Sequence, residues 1–308
     1  MGPILFNIFL NDMLMFTTTT NPNNYADDNT LSASENNVND LITTLEKGGE
    51  EAIDWLSKNK MIPNPDKFKA IILKKDRSDT SNMNLKIDNQ EIKTASSVEL
   101  IGIKLDNKLS FKEHISDLCK AAGAKLNAIK RLGNKLDQKE RKLLIDAHII
   151  SYFNCCSTVW HFCGKVEIHK MEKLHERSIR FIYNEYNMEY FQLLKNQNLK
   201  TLYNQRVNTM CCEIYKTKHN LNAGYMKDLL SERPSNYPSR KQNDFYIPKA
   251  NQYKFGYNSY RVEAPKQWNL LSESAKSVTS LKRFKRILKN ENTPCCSCDI
   301  CREKCKST

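Results

Sequence analysis

Tyr25-Ala26-Asp27-Asp28-Asn29-Thr30-Leu31-Ser32-Ala33 follows the turn-forming run Asn21-Pro22-Asn23-Asn24, and its reading decides the rest of the chain. Tyr25, Thr30 and Leu31 tolerate a strand, whereas Asp27-Asp28-Asn29 favours a turn. The expectation is a short hairpin with two adjacent carboxylates at its tip. Two negative charges so close repel unless a cation sits beside them. Mg2+ is the cation expected, with Mn2+ as a substitute, because Mg2+ takes one or two carboxylates together with substrate phosphates. In two-metal phosphoryl transfer such carboxylates clamp the attacking and leaving oxygens. An aromatic, any residue and then Asp-Asp is a short pattern, and taken alone it reads equally as a solvated Asx-rich turn.

Composition bounds the classes. The chain has 308 residues, 40% of them hydrophobic and 27% charged, which suffices for a core and excludes wholesale disorder. Nine glycines and nine prolines exclude collagen and low-complexity linkers, and the length allows two domains. The net charge of +13 favours a polyanionic partner. Residues 1–60 hold three lysines, no arginine and nine acids, a net of −6 that leaves +19 for the rest. The longest apolar run, Ile4 to Leu10, is far short of the roughly 20 residues a bilayer requires. It also lacks the flanks of a signal peptide, so no membrane partner and no secretion are expected. Eleven cysteines then read as mostly reduced thiols in a nuclear or cytoplasmic setting.

The pattern along the chain shifts from mixed to helical. Gly2-Pro3 opens an apolar run in which Leu5, Ile8 and Phe9 share a helical face. It reads as a short amphipathic helix or, as expected here, as a helix with further sequence upstream. Residues 38–56 predict one helix with a weak point at Gly48-Gly49 and with Trp55 in the core. Pro63-Asn64-Pro65-Asp66 predicts a turn, Phe68–Leu73 a strand, and Lys67 falls between them. Leu85–Ile87, Ile92–Thr94 and Val98–Leu105 predict three further strands, with Gly102 marking a bulge or a close backbone approach. His114–Leu132, Arg141–Tyr152 and His169–Phe181 have helical spacing, with Lys120, Lys125, Lys130 and Arg131 off the apolar face. Summed over a surface, such cations suit phosphate neutralisation; singly, each is a solvated charge. The six histidines show no metal-ligand spacing, and His161, Cys163 and Cys155-Cys156 read as structural before they read as a site. Lys276–Lys289 holds six cations and no acid around Leu281, Phe284, Ile287 and Leu288. It is a basic amphipathic helix suited to nucleic acid, nuclear import or plain solvation, and without a second anchor for a membrane surface. Cys295, Cys296, Cys298, Cys301 and Cys305 allow a Zn2+ site or a redox-prone end, since only Cys298-x-x-Cys301 has good ligand spacing.

Five segments, in order, resemble the reverse transcriptases of non-LTR (LINE-type) retrotransposons. Gly2-Pro3-Ile4-Leu5-Phe6 through Asp12 is similar to the family's Gly-Pro helix beside the incoming nucleotide. Tyr25-Ala26-Asp27-Asp28 is similar to its catalytic hairpin. Trp55, Asn59, Met61, Asn64 and Lys67 follow its Trp…Asn…Met…Asn-x-x-Lys stretch. Leu100-Ile101-Gly102-Ile103, Leu109-Ser110-Phe111 and His114-Ile115 follow its Leu-Gly-Ile…Leu-x-Phe…His-Ile segment. Pro265-Lys266-Gln267-Trp268-Asn269-Leu270-Leu271 resembles a block near the ends of such proteins.

The resemblance implies an α+β architecture. It would comprise the C-terminal half of a polymerase palm over 1–108, with catalytic hairpin, packed helix and small antiparallel sheet. A helical thumb over 109–235 and a basic, Cys-rich C-terminal region over 236–308 would follow. It further implies Asp27 and Asp28 as catalytic metal ligands and Lys67 as the general acid toward pyrophosphate. Tyr25, Ala26, Gly2 and Pro3 would lie by the nucleotide, and Leu100 and Gly102 in a primer grip. An RNA template, a DNA primer and a dNTP would be the partners. The family also needs a third aspartate on an earlier palm strand. The one acid before the hairpin, Asp12, falls inside the matched helix block, so the expected alternative is a truncated remnant that binds nucleic acid without catalysis.

Overall fold

The computed structural model describes residues 1–76, 78–233, 245–250 and 256–290. Helices dominate and all strand pairs are antiparallel, so the chain is α+β. It divides into two units, Met1–Lys108 and Leu109–Thr308.

The first unit carries all six strands described, as three separate two-stranded hairpins. Helix α1 (Gly2–Leu10) and the single turn α2 (Met13–Phe16) lead into β1 (Asn21–Tyr25) and β2 (Asp28–Ser32). Helix α3 (Val38–Lys58) follows, with the Asn37 side chain accepting the Asp40 amide at 2.8 Å as its N-cap. Leu10, Met13, Ala52, Trp55 and Leu56 form its core, so Trp55 is packed as expected. The face of α1 built from Leu5, Ile8 and Phe9 is not core: all three are exposed with Ile4, and Leu10 is the residue that α1 buries.

The expected weak point of α3 is instead its closest packing. The helix runs unbroken through Gly48 and Gly49, both buried. A Cβ on Gly49 would lie 2.6 Å from Ile87 Cδ1, and one on Gly48 would lie 2.6 Å from Thr20 Oγ1. Glycine here costs helix propensity and gains close approach.

Two other expectations change. Phe68–Leu73 is not a strand; Pro65–Lys67 forms a short 3-10 turn, and only Ala70 bridges to Thr94, in parallel. Thr94 Oγ1 is instead tied to the Thr80 carbonyl at 2.5 Å, and Ile72, Leu85 and Ile92 are each buried in this unit. Val98–Leu105 is not one strand but two, β5 (Ser97–Leu100) and β6 (Ile103–Asp106). Ile101 and Gly102 both have positive φ (48° and 76°), the pattern of a type I′ hairpin turn. No atom lies within 4 Å of a Cβ added at Gly102, so neither a bulge nor a close approach explains this glycine. The hairpin of β3 (Asn84–Ile87) and β4 (Gln90–Lys93) turns the same way, at Asp88-Asn89 with φ of 49° and 56°.

The second unit is helical. Helix α4 (Lys112–Arg131) packs on α8 (Lys165–Tyr183). Between them lie α5 (Gln138–Ile145), a π-turn over Asp146–Ile150, and the short α6 (Ser151–Asn154) and α7 (Ser157–Trp160). Asp137 and Glu140 form a capping box at the start of α5, each accepting the other's backbone amide at 2.8 Å. Helix α9 (Tyr190–Asn196) precedes α10 (Leu202–Lys218), on which α11 (Tyr260–Asn269) and α13 (Leu281–Asn290) pack; α12 is Glu273–Lys276.

The expected helix over Lys276–Lys289 therefore starts at Leu281, and Lys276 itself is buried, donating to Glu273 at 3.1 Å. Phe284 and Leu288 are buried, and the Phe284 ring stacks on Tyr215 with centroids 4.5 Å apart. The apolar face of α13 is consumed by this core, so it offers nothing to a membrane surface. Most of the Pro265–Leu271 block is also core, with Leu270 exposed: Trp268 is fully buried, and Asn269 exchanges two hydrogen bonds of 2.9 Å with the Phe245 backbone.

Candidate functional site

Tyr25 and Asp28 are cross-strand partners, which leaves Ala26 and Asp27 as a two-residue turn. Ala26 has φ of 52° and Asp27 does not share the sign, so the first central residue alone is left-handed. That pattern belongs to a II′ turn, whose twist matches the flanking strands and whose first position prefers glycine. An alanine there carries roughly 1–2 kcal/mol of backbone strain. The turn sets Asp27 at the apex and Asp28 at the head of β2, and both are exposed.

The hairpin is fastened to α3 through the segment before β1. The Glu51 carboxylate accepts the Thr18 amide at 2.8 Å and the Thr19 amide at 3.0 Å, and the Thr19 hydroxyl also donates to it. Desolvation pushes this carboxyl up, but the Thr19 and Thr18 hydrogen bonds and Lys47 outweigh it, and the net shift is below its ordinary value. One strand on, Asn24 Nδ2 reaches Met13 Sδ at 3.9 Å, and Leu31 packs on the Trp55 cluster. The tip is thus held from beneath while its carboxylates face solvent.

The remaining expected residues lie on separate elements. Gly2 and Pro3 open α1 and are exposed. Lys67 ends the 3-10 turn, also exposed. Leu100 is half-buried at the end of β5, with Gly102 in the turn beyond it. Among the described residues, Asp27, Asp28 and Lys67 make no side-chain hydrogen bond or ion pair. A pair of unpartnered carboxylates fits one divalent cation whose other ligands are water and phosphate. A two-ion clamp needs more donors, and no group of three or more His, Cys, Asp or Glu among the described residues could hold a metal. The Cys295–Cys305 tail lies outside the described residues.

Pattern reading missed a buried polar centre in the helical unit. Glu172 of α8 caps α10: Oε1 accepts the Tyr203 amide at 2.8 Å and Oε2 the Leu202 amide at 3.3 Å. Thr201 takes the Asn204 amide at 3.2 Å, so three amides of the first turn are satisfied. Tyr190 Oη donates to Glu172 at 3.1 Å and lies 2.6 Å from His175 Nδ1. Burial pushes the Glu172 carboxyl up, opposed by Arg206 and those amides. Burial, and then Arg206, push His175 down to about 3, so its approach to Glu172 at 3.9 Å is not an ion pair at neutral pH. Arg206 is buried with its guanidinium over the Trp160 and Tyr203 rings, at 5.3 and 5.8 Å. His161 is likewise held near 3 by burial and Arg206, and burial pushes Cys163 up to about 12. Both are buried, and no group among the described residues that could hold a metal includes them. The signal that could have exposed this centre is Glu172 and His175 at i, i+3 inside an otherwise apolar helical stripe.

Comparison of the chain with family models, curated proteins and solved structures finds no match. Among the described residues, no helix is long and apolar enough to cross a membrane.

Proposed function

We propose that the chain carries the catalytic hairpin and thumb of an RNA-directed DNA polymerase of the non-LTR retrotransposon type. The observation that supports this best is the two-residue turn, which leaves Asp27 at its apex and Asp28 at the head of β2, both exposed and without protein partners among the described residues. In this reading the reaction is attack of a primer 3′-OH on a dNTP α-phosphate, with pyrophosphate leaving. Asp27 and Asp28 would hold a divalent cation, with Asp27 as its main protein ligand. Mg2+ or Mn2+, when bound, stabilises charge on the attacking and leaving oxygens. Lys67 gives its proton to the leaving pyrophosphate. Tyr25, Ala26, Gly2 and Pro3 border the nucleotide, while Leu100 and Gly102 position the primer end. The cationic helix faces grip the template–primer backbone, in a nuclear or cytoplasmic setting.

A second reading rests on its own observation: no third carboxylate joins the pair among the described residues. The chain would then bind nucleic acid and catalyse nothing. Primer extension on an RNA template with Mg2+ separates the two. DNA synthesis that Asp27→Ala abolishes supports the polymerase. Absence of synthesis together with salt-sensitive duplex binding supports the binding protein.

A further inference from the structure

We infer that the exposed face of α1 and α2 is where two copies of this chain pair, an inference independent of the polymerase reading. Leu10 and Met13 are buried in one cluster, and Asn11 and Asp12 between them keep right-handed helical dihedrals, with φ of −65° and −75°. The helical phase therefore carries from α1 into α2. Ile4, Leu5, Ile8, Met15 and Phe16 share the side opposite the buried one. Phe9 lies at its margin, where its ring meets Trp55 at 5.7 Å.

The stripe is large enough for a dimer. Ile4, Leu5, Ile8 and Met15 are 65, 60, 66 and 77% exposed, and Phe9 and Phe16 are 42 and 38% exposed. At about 200 Å² for a fully exposed large side chain, they present roughly 700 Å². A standard interface buries about 800 Å² per partner, whereas the largest apolar patch of a typical monomer is about 300–600 Å².

Charge selects a second copy as the occupant. Residues 1–11 hold no charged side chain, and residues 1–60 carry a net of −6. A polyanion or an anionic membrane surface finds no cationic side chain here, and the Lys and Arg of a membrane-lying helix are absent. A neutral apolar stripe meets its own copy across a two-fold axis without like charges in contact. The three- and four-residue spacing of Ile4, Ile8, Asp12 and Met15 is that of a helix–helix seam, and the copy supplies the same helix. Antiparallel pairing about an axis near Ile8 sets Asp12 beside the first turn of the partner's α1. Asp12 is exposed, and its side chain makes no hydrogen bond or ion pair among the described residues. That first turn of α1 has no acidic residue and no side-chain cap, so the carboxylate complements the positive end of the partner's helix.

Sedimentation equilibrium of the full chain at micromolar concentration tests this, after nuclease treatment and in about 0.5 M NaCl, where bridging by nucleic acid is screened out. The expected result is a single species of twice the chain mass. Ile4→Glu with Ile8→Glu is expected to weaken association at least about hundredfold and to leave a monomer with the wild-type far-UV circular dichroism. Met15→Glu alone should weaken it at least about tenfold. Leu143→Glu, which alters a 69%-exposed leucine of α5, should leave the dimer intact. A monomeric wild type overturns the proposal, whether or not the stripe binds lipid vesicles, as does a ladder of larger species in place of a closed pair. A dimer that Leu143→Glu weakens equally, or that the charges at Ile4, Ile8 and Met15 leave intact, overturns it too.

Discussion

Gly48 meets Thr20 so closely that a Cβ on the glycine would stand 2.6 Å from the threonine Oγ1. Thr20 is buried immediately before β1, so this contact fixes where the carboxylate hairpin leaves α3. Gly48→Ala gains up to about 1 kcal/mol of helix propensity, but overpacking costs about 1–3 kcal/mol. The net expectation is a loss of about 1 kcal/mol, and Gly49→Ala against Ile87 should behave alike. Hydrogen exchange of α3 amides checks it, and faster exchange in wild type than in either variant would refute it.

At Ala26 the sign reverses. Glycine relieves the positive φ of 52°, worth about 1–2 kcal/mol, and loses about 0.4–1 kcal/mol through a freer unfolded chain. Ala26→Gly should therefore protect the hairpin amides slightly. A rise in their exchange rates would contradict the strain argument.

Glu172 holds the start of α10 from α8. Glu172→Ala leaves the Leu202 and Tyr203 amides, the Tyr190 hydroxyl and the Arg206 charge without it. Removing one partner of a buried charge network costs about 3–5 kcal/mol. Glu172→Gln keeps an acceptor at each contact save one and should cost clearly less. Urea denaturation followed through Trp160 and Trp268 fluorescence measures both; equal losses would show that an amide acceptor does not replace the carboxylate.

The buried histidines set an acid limit. His161 titrates near 3 in the fold against 6.5 when free, so the unfolded chain binds the extra proton between those values. Its contribution is complete above pH 6.5 and is lost as pH falls toward 3, at up to about 1.4 kcal/mol per pH unit. Glu172, raised by burial, acts in the opposite direction, and Arg206 and Cys163 face the same space. Comparing wild type with His161→Phe cancels those shared effects. The variant should lose less stability between pH 6.5 and 5, and parallel pH profiles would disprove the assignment.

Periodicity was enough for much of this architecture. Leu118, Leu126 and Ile129 mark α4 by spacing alone, and the turn preference of Asp27-Asp28 marks the hairpin tip. The same local logic failed at Phe68–Leu73, where an apolar run is used for a single bridge, and at Val98–Leu105, where a left-handed Ile101 folds one apparent strand into two. It also failed for Leu5 and Ile8, since an amphipathic pattern states which face is apolar and not whether anything covers it.

The amino-acid order by itself determined helices such as α3, α4 and α8, the hairpin apex with its paired aspartates, and the excess of cations after residue 60, because these follow from backbone preference and side-chain type over a few neighbours. Tertiary structure alone decided that Gly48 and Gly49 are contact points, that α13 buries its apolar face, and that Glu172 caps a helix thirty residues away in sequence. Each of these depends on a partner distant along the chain, and the free energy of burial and close approach exists only once that partner is in place.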